Sequence, residues 1–204
     1  MLNISCFTGG VAMTNGYHLE TAAGGVAVDA PEGFADWLRR SGKTVSVLLL
    51  THQHFDHVMD AALIQREFGT RVCAFAPYSR SLTLADLMEM ATGVPLKVEP
   101  FAVDEVLEGK AEVQGGGLRW KIDHIPGHSS DSITFYNADE NLLFGGDVLF
   151  RGSVGRTDFP GGDGERLICG IHDRLLILPE DTRVLPGHGG ETTIGIERDA
   201  NPYL

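Results

Sequence analysis

The apolar run from Val45 to Leu50 is the segment that most constrains the fold. A stretch this short and apolar, with valine among its members, reads as a strand covered on both faces. Such strands belong to parallel sheets flanked by helices. Thr51-His52-Gln53-His54-Phe55-Asp56-His57 follows immediately, where the strand should end and a helix begin. Open α/β sheets present their chemistry at strand ends of this kind.

The surrounding sequence continues the pattern. Residues 2–8, 17–22 and 25–29 read as short strands between glycine-rich turns. Pro31 opens a helix over 31–41 that Gly42 stops. Asp56 is the expected N-cap of a helix over 57–68 ending at Gly69. A strand at 71–75 and a helix over 80–91 follow. Leu82, Leu84, Leu87, Met88 and Met90 on that helix are expected in the core, with an apolar substrate pocket as the alternative. In the second half, 105–107, 111–114, 118–124, 132–136 and 142–144 read as a meander. Gly115-Gly116-Gly117 makes a hairpin turn rather than a phosphate loop. A helix over 164–177, a strand at 183–185 and a helix over 191–198 complete the expectation.

Composition narrows the function. The chain has 204 residues, 43% of them hydrophobic, which suits one substantial domain. No apolar stretch reaches the roughly 18 to 20 residues needed to cross a bilayer, and the N-terminus lacks the features of a signal peptide. A net charge of -12 disfavours nucleic acid as a partner. Cys6, Cys73 and Cys169 form no CxxC pair and no disulfide framework. They read as small core residues of a cytoplasmic protein.

The histidine segment asks for a metal. An extended chain puts His52 and His54 on one side. The chain then turns, so Asp56 and His57 can address a second point. Four ligand-type side chains exceed the needs of one open site, and two adjacent metals would use them fully. His128, Asp147 and His188 each stand just past an apolar strand beside glycine, in Ile125-Pro126-Gly127-His128, Phe144-Gly145-Gly146-Asp147 and Leu185-Pro186-Gly187-His188. Imidazole with carboxylate suits zinc, iron or manganese. Asp29 can orient a ligand imidazole from behind, and a turn role before Pro31 competes with that reading. His18, His124 and His172 read as structural or surface residues.

These residues, in this order, resemble the metallo-β-lactamase superfamily, whose His-x-His-x-Asp-His motif is met at 52, 54, 56 and 57. The resemblance covers nearly the whole chain. It implies an α/β fold, the αββα four-layer sandwich, as a single domain over residues 1–204. It implies two divalent ions, zinc first, with iron or manganese as alternatives. His52, His54 and His128 would hold one ion, and Asp56, His57 and His188 the other, with Asp147 bridging. Asp56 would also guide a proton during catalysis.

Within the superfamily, residues 146–160 resemble both the small glyoxalase II-like (hydroxyacylglutathione hydrolase-like) enzymes and the persulfide dioxygenases. Pro186-Gly187-His188-Gly189, the segment Glu191–Gly195 and Glu197-Arg198 favour the former. The expectation is therefore a hydrolase that cleaves S-lactoylglutathione or a related acyl thiol with a metal-bound hydroxide. Arg151 and Arg156 are the candidate substrate-binding residues, with an ion pair inside the loop as the competing role. A mononuclear Fe(II) persulfide dioxygenase, a lactonase and a non-catalytic metal-binding module are the alternatives. Cysteine in place of Asp147 would have pointed to true β-lactamases, so antibiotic hydrolysis is disfavoured. The helical C-terminal domain of full-length glyoxalase II, which helps hold glutathione, has no counterpart in this sequence. The expected partner is a small-molecule thioester, with no nucleic acid and no membrane.

Overall fold

The computed structural model describes residues 2–204. They fall into two compact units, one of residues 2–108 with 115–117, the other of 109–114 with 118–204. No helix among the described residues is long and apolar enough to cross a membrane.

The first unit is built on a six-stranded sheet in sequential order. Its strands are β1 (Asn3–Gly9), β2 (Thr14–Glu20), β3 (Val26–Val28), β4 (Val47–Leu49), β5 (Arg71–Ala74) and β6 (Glu105–Val106). β1 to β3 pair antiparallel and β3 to β6 parallel. The parallel strands need crossovers, which the helices supply. Helix α1 (Phe34–Arg40) buries Phe34, Ala35 and Leu38. Phe34 stacks on Phe7 of β1 and on Trp37. β4 is fully buried, as its composition predicts.

The expected helix over 57–68 is two helices, α2 (Phe55–Val58) and α3 (Ala61–Phe68). The cause lies elsewhere in the chain. The His57 carbonyl accepts the Ala30 N–H at 2.7 Å, and the Asp60 N–H donates to the Ala30 carbonyl at 2.9 Å. Asp56 therefore lies inside the first turn of α2, not at an N-cap. Helix α4 (Ala85–Thr92) also starts later than expected. The Thr83 hydroxyl donates to the Arg80 carbonyl at 2.7 Å, and Leu84 is left-handed at φ 56°. Both features oppose helix over 80–84. Of the apolar residues expected in the core there, only Leu84 is buried, and Met90 is 85% exposed. Residues 105–107 are not part of the meander. β6 pairs with β5 at the edge of this sheet.

The second unit carries a sheet of order β14-β13-β10-β9-β8-β7. These strands are β7 (Glu112–Gly115), β8 (Leu118–His124), β9 (Ile133–Asn137), β10 (Leu142–Gly146), β13 (Arg183–Pro186) and β14 (Thr192–Thr193). β10 and β13 are parallel. A hairpin absent from the sequence expectation, β11 (Leu149–Phe150) and β12 (Ser153–Val154), follows β10. Helix α5 (Gly164–Gly170) is capped by the Asp163 carboxylate, which accepts the Arg166 N–H. The stretch expected to continue it is π-helical over Ile171–Leu175. Helix α6 (Ile194–Ala200) closes the chain. Ile125, Leu143, Leu149, Leu167, Ile171 and Val184 pack together beneath the sheet's helices. Cys73 is buried, whereas Cys6 and Cys169 are exposed and do not serve as core residues.

Candidate metal centre

In the first unit the ligand candidates stand directly after β4. His52, His54 and His57 are all buried. The His52 ring lies 4.5 Å from that of His54 and 4.1 Å from that of His57, centroid to centroid. Gln53 points away between the first two. Its amide donates to the Ala76 and Pro77 carbonyls, and its oxygen accepts the Ser79 N–H at 3.0 Å. That anchor fixes the two histidines to one side.

Asp29 sets the state of these rings. It is buried and left-handed at φ 57°, a conformation that aspartate tolerates better than most residues. One carboxylate oxygen takes the Thr51 N–H at 2.8 Å. The other takes the Thr51 hydroxyl at 2.8 Å and faces His57 Nδ1 at 2.9 Å. A carboxylate only accepts, so His57 carries its proton on Nδ1. The Thr51 hydroxyl has given its hydrogen to Asp29, so its oxygen accepts from His52 Nδ1 at 3.1 Å. One carboxylate thus leaves Nε2 of both neutral rings as the nitrogen with a lone pair. Asp56 accepts the Thr14 hydroxyl at 2.6 Å, and its carboxylate stands 3.6 Å from His57 Nε2.

The second unit repeats this logic with a different acceptor. His128 Nδ1 donates to the Arg156 main-chain carbonyl at 2.8 Å. Its Nε2 lies 3.4 Å from Asp147, and His188 Nε2 lies 3.3 Å from the same carboxylate oxygen. Zn–N bonds are about 2.0–2.1 Å, so neighbouring ligand atoms of a tetrahedron sit about 3.3 Å apart. The separations of 3.3 and 3.4 Å in the second unit have this spacing, that of 3.6 Å in the first is slightly wider, and the donor set fits a divalent cation.

The second unit also holds its hairpin rigidly. Glu197 is buried, and its carboxylate accepts the Gly152 N–H, the Asn201 amide and the Thr192 hydroxyl. Asn201 donates in turn to the Ser153 carbonyl at 3.0 Å. Gly155 lies against the Asp147 backbone so closely that a Cβ there would fall 1.9 Å from the Asp147 carbonyl oxygen. This frame carries the Arg156 carbonyl to His128. A cavity of about 540 Å³ opens beside it, lined by Val154, Arg156, Thr157, Leu167, Ile168 and Tyr203 among others.

Arg151 is exposed at the turn of the β11–β12 hairpin. Arg156 reaches Asp158 with two hydrogen bonds of 2.6 Å and lies 3.9 Å over the Phe159 ring. The guanidinium beside Asp158 holds that carboxyl down at about 2. His18 is buried against the Thr44 carbonyl, His124 faces the Ser130 carbonyl, and His172 is exposed.

The sequence expectation gave no role to Thr14, Thr51 or Gln53, and met Glu197 only within the Glu197-Arg198 pair that carries the family resemblance. Gln53 carried a signal, since it alternates with two candidate ligands on an extended chain. The bond from Gly152 N–H to Glu197 carried none, because it joins a helix residue to the main chain of a distant hairpin.

Comparison with known proteins places these geometries in a family. The profile of the metallo-beta-lactamase superfamily matches residues 20–188. The hydroxyacylglutathione hydrolase GloC of Haemophilus influenzae is 39% identical over 163 residues, 78% of this chain and 76% of its own. The B3 metallo-beta-lactamase BLEG-1 superposes with a TM-score of 0.89 at 34% identity, covering 99% of both chains. TTHA1623, solved in a di-iron-bound form, superposes with a TM-score of 0.84 at 36% identity, over 98% of this chain and 100% of its own. The two main sheets with their helices are the α/β fold of metallo-β-lactamase type that the sequence implied. With a profile match over most of its length and a histidine–aspartate set in each unit, the chain belongs to the metallo-β-lactamase superfamily.

Proposed function

We propose that this protein is a metal-dependent thioester hydrolase of the hydroxyacylglutathione hydrolase type. In this reading the chain is a single-domain enzyme that uses two divalent ions. His52, His54 and His128 would hold one ion and Asp56, His57 and His188 the other, and Asp147 would be shared. Zinc is the first candidate, and iron is the second because TTHA1623 was solved with two irons. When bound, such ions lower the pKa of water to about 7 and polarise a carbonyl.

The chain's own residues supply orientation and proton handling. Asp29 and the Arg156 carbonyl each fix an imidazole so that Nε2 can ligate. Asp56, held by Thr14, is the acceptor proposed for the proton released when water adds to the carbonyl. The thiolate leaves without a strong general acid. Arg151 and Arg156 are the residues proposed to meet a substrate carboxylate, for which Arg156 must exchange its bonds to Asp158. The acidic chain suits a small-molecule substrate rather than a polyanion. Three cysteines without a CxxC pair suit the cytoplasm.

The observation that carries the thioester assignment is the 39% identity to a hydroxyacylglutathione hydrolase. The similarity to BLEG-1 favours a second reading, β-lactam hydrolysis. Metal content and turnover of S-lactoylglutathione and benzylpenicillin, measured on one sample, separate the two. The expected result is two divalent ions per chain and thioester turnover that His54→Ala or Asp147→Ala abolishes in a folded protein. Benzylpenicillin turnover above that of the thioester would overturn the assignment. So would a single iron with oxygen uptake on glutathione persulfide.

A further inference from the structure

The first unit contains a cavity that the proposed chemistry does not use. It measures about 250 Å³ and is lined by Val11, Phe55, Met88, Thr92, Val94 and Leu96. Five of these side chains are apolar. The sixth, Thr92, donates its hydroxyl to the Met88 carbonyl at 2.7 Å, and the same oxygen accepts the Val94 N–H at 3.2 Å. The one polar group in the wall is therefore satisfied by the helix end it belongs to. A ligand part that fills this space needs no polar atom to do so.

An adjoining cavity of about 220 Å³ shares Val11, Phe55, Val94 and Leu96 and adds Asp56, Glu32 and Lys97 among others. The apolar space thus lies next to a candidate metal ligand. Val11 is 86% and Val94 63% exposed, although each is a large apolar side chain. Scattered apolar residues need no explanation, but clustered ones around a concavity mark a binding site.

We infer that this pocket takes the aliphatic chain of a short fatty acyl group whose activated carbonyl lies at the Asp56 end. The inference rests on the hydrolase reading and names its substrate class. Glutathione is charged at both ends and carries polar amides that this wall would leave unpaired. An unbranched alkyl chain loses nothing there and removes Val11, Val94 and Met88 from water. The discriminating feature of the substrate is then the acyl side, not the thiol carrier.

The test uses the metal-loaded protein and a series of N-acetylcysteamine thioesters from acetyl through butyryl to hexanoyl. Burial of one methylene contributes about 0.8 kcal/mol, or about fourfold. The expected kcat/KM rises about fourfold per methylene along the series. In Val94→Asp this dependence flattens, and in Ile177→Asp, an exposed apolar residue of the other unit, it persists. Calorimetric binding of acetate, butyrate and hexanoate should follow the same ladder and lose it in Val94→Asp. A flat series in the wild type, or a slope that survives in Val94→Asp, overturns the pocket assignment. If no thioester is turned over while the metals are bound, the hydrolase reading fails, and the carboxylate ladder alone decides for or against the pocket.

Discussion

Replacing Asp29 by Asn isolates what one carboxylate does for the metal centre. The change is nearly isosteric, and asparagine also tolerates the left-handed backbone at this position. The fold should therefore survive. The hydrogen-bond pattern does not. Asp29 accepts from the Thr51 N–H, the Thr51 hydroxyl and His57 Nδ1. An amide has only one accepting end. If its oxygen keeps Thr51 N–H, its NH2 faces His57 Nδ1, which must then present a lone pair. The ring proton moves to Nε2, the nitrogen proposed to ligate. If the amide flips, the Thr51 N–H loses its acceptor, which costs about 1–3 kcal/mol in a buried site. Partners behind a ligating histidine are worth about 10–100-fold in metal affinity, or about 1.4–2.8 kcal/mol. Competition with a chelator of known affinity reads this loss directly. Thermal melts of the metal-free proteins show whether the fold is intact. The outcome expected is metal affinity at least tenfold lower with only a modest fall in melting temperature. Affinity within twofold of the wild type would refute the tautomer argument.

Two further outcomes follow from the second unit. In Gly155→Ala the new Cβ would fall 1.9 Å from the Asp147 carbonyl oxygen and 3.1 Å from His128 Cβ. The backbone must shift, so stability should fall by about 1–3 kcal/mol and metal content with it, as read by melting and elemental analysis; unchanged metal content would contradict the close packing. The Asp158 carboxyl, followed by NMR titration, should titrate at about 2 and return to the ordinary carboxylate range in Arg156→Ala. Its pKa is lowered in the folded state. The pair's contribution is therefore present above the ordinary carboxylate value of about 3.9 and is lost as pH falls through about 2.

How much of this was legible in the sequence depended on where the deciding partner lay. Val45–Leu50 announced a buried strand, and the histidines after it announced a metal, because residue type and spacing carry both signals. The break between α2 and α3 was not legible, because the main chain of Ala30 causes it. The late start of α4 follows from a left-handed Leu84, which no composition rule predicts. β6 looked like one more strand of a meander until its pairing with β5 was known. The β11–β12 hairpin is tied to Glu197 through the Gly152 N–H, a contact 45 residues apart that no local pattern announces. Local signals marked the candidate ligands, and distant contacts decided what holds them.

The two histidine partners differ in kind, and the difference has an evolutionary consequence. His57 leans on the side chain of Asp29, so mutation at that position is punished at once. His128 leans on a peptide carbonyl, which every amino acid supplies. The side chain at 156 is therefore released from any duty toward His128. A lineage can exchange the side chain at 156 while the imidazole behind it keeps its acceptor.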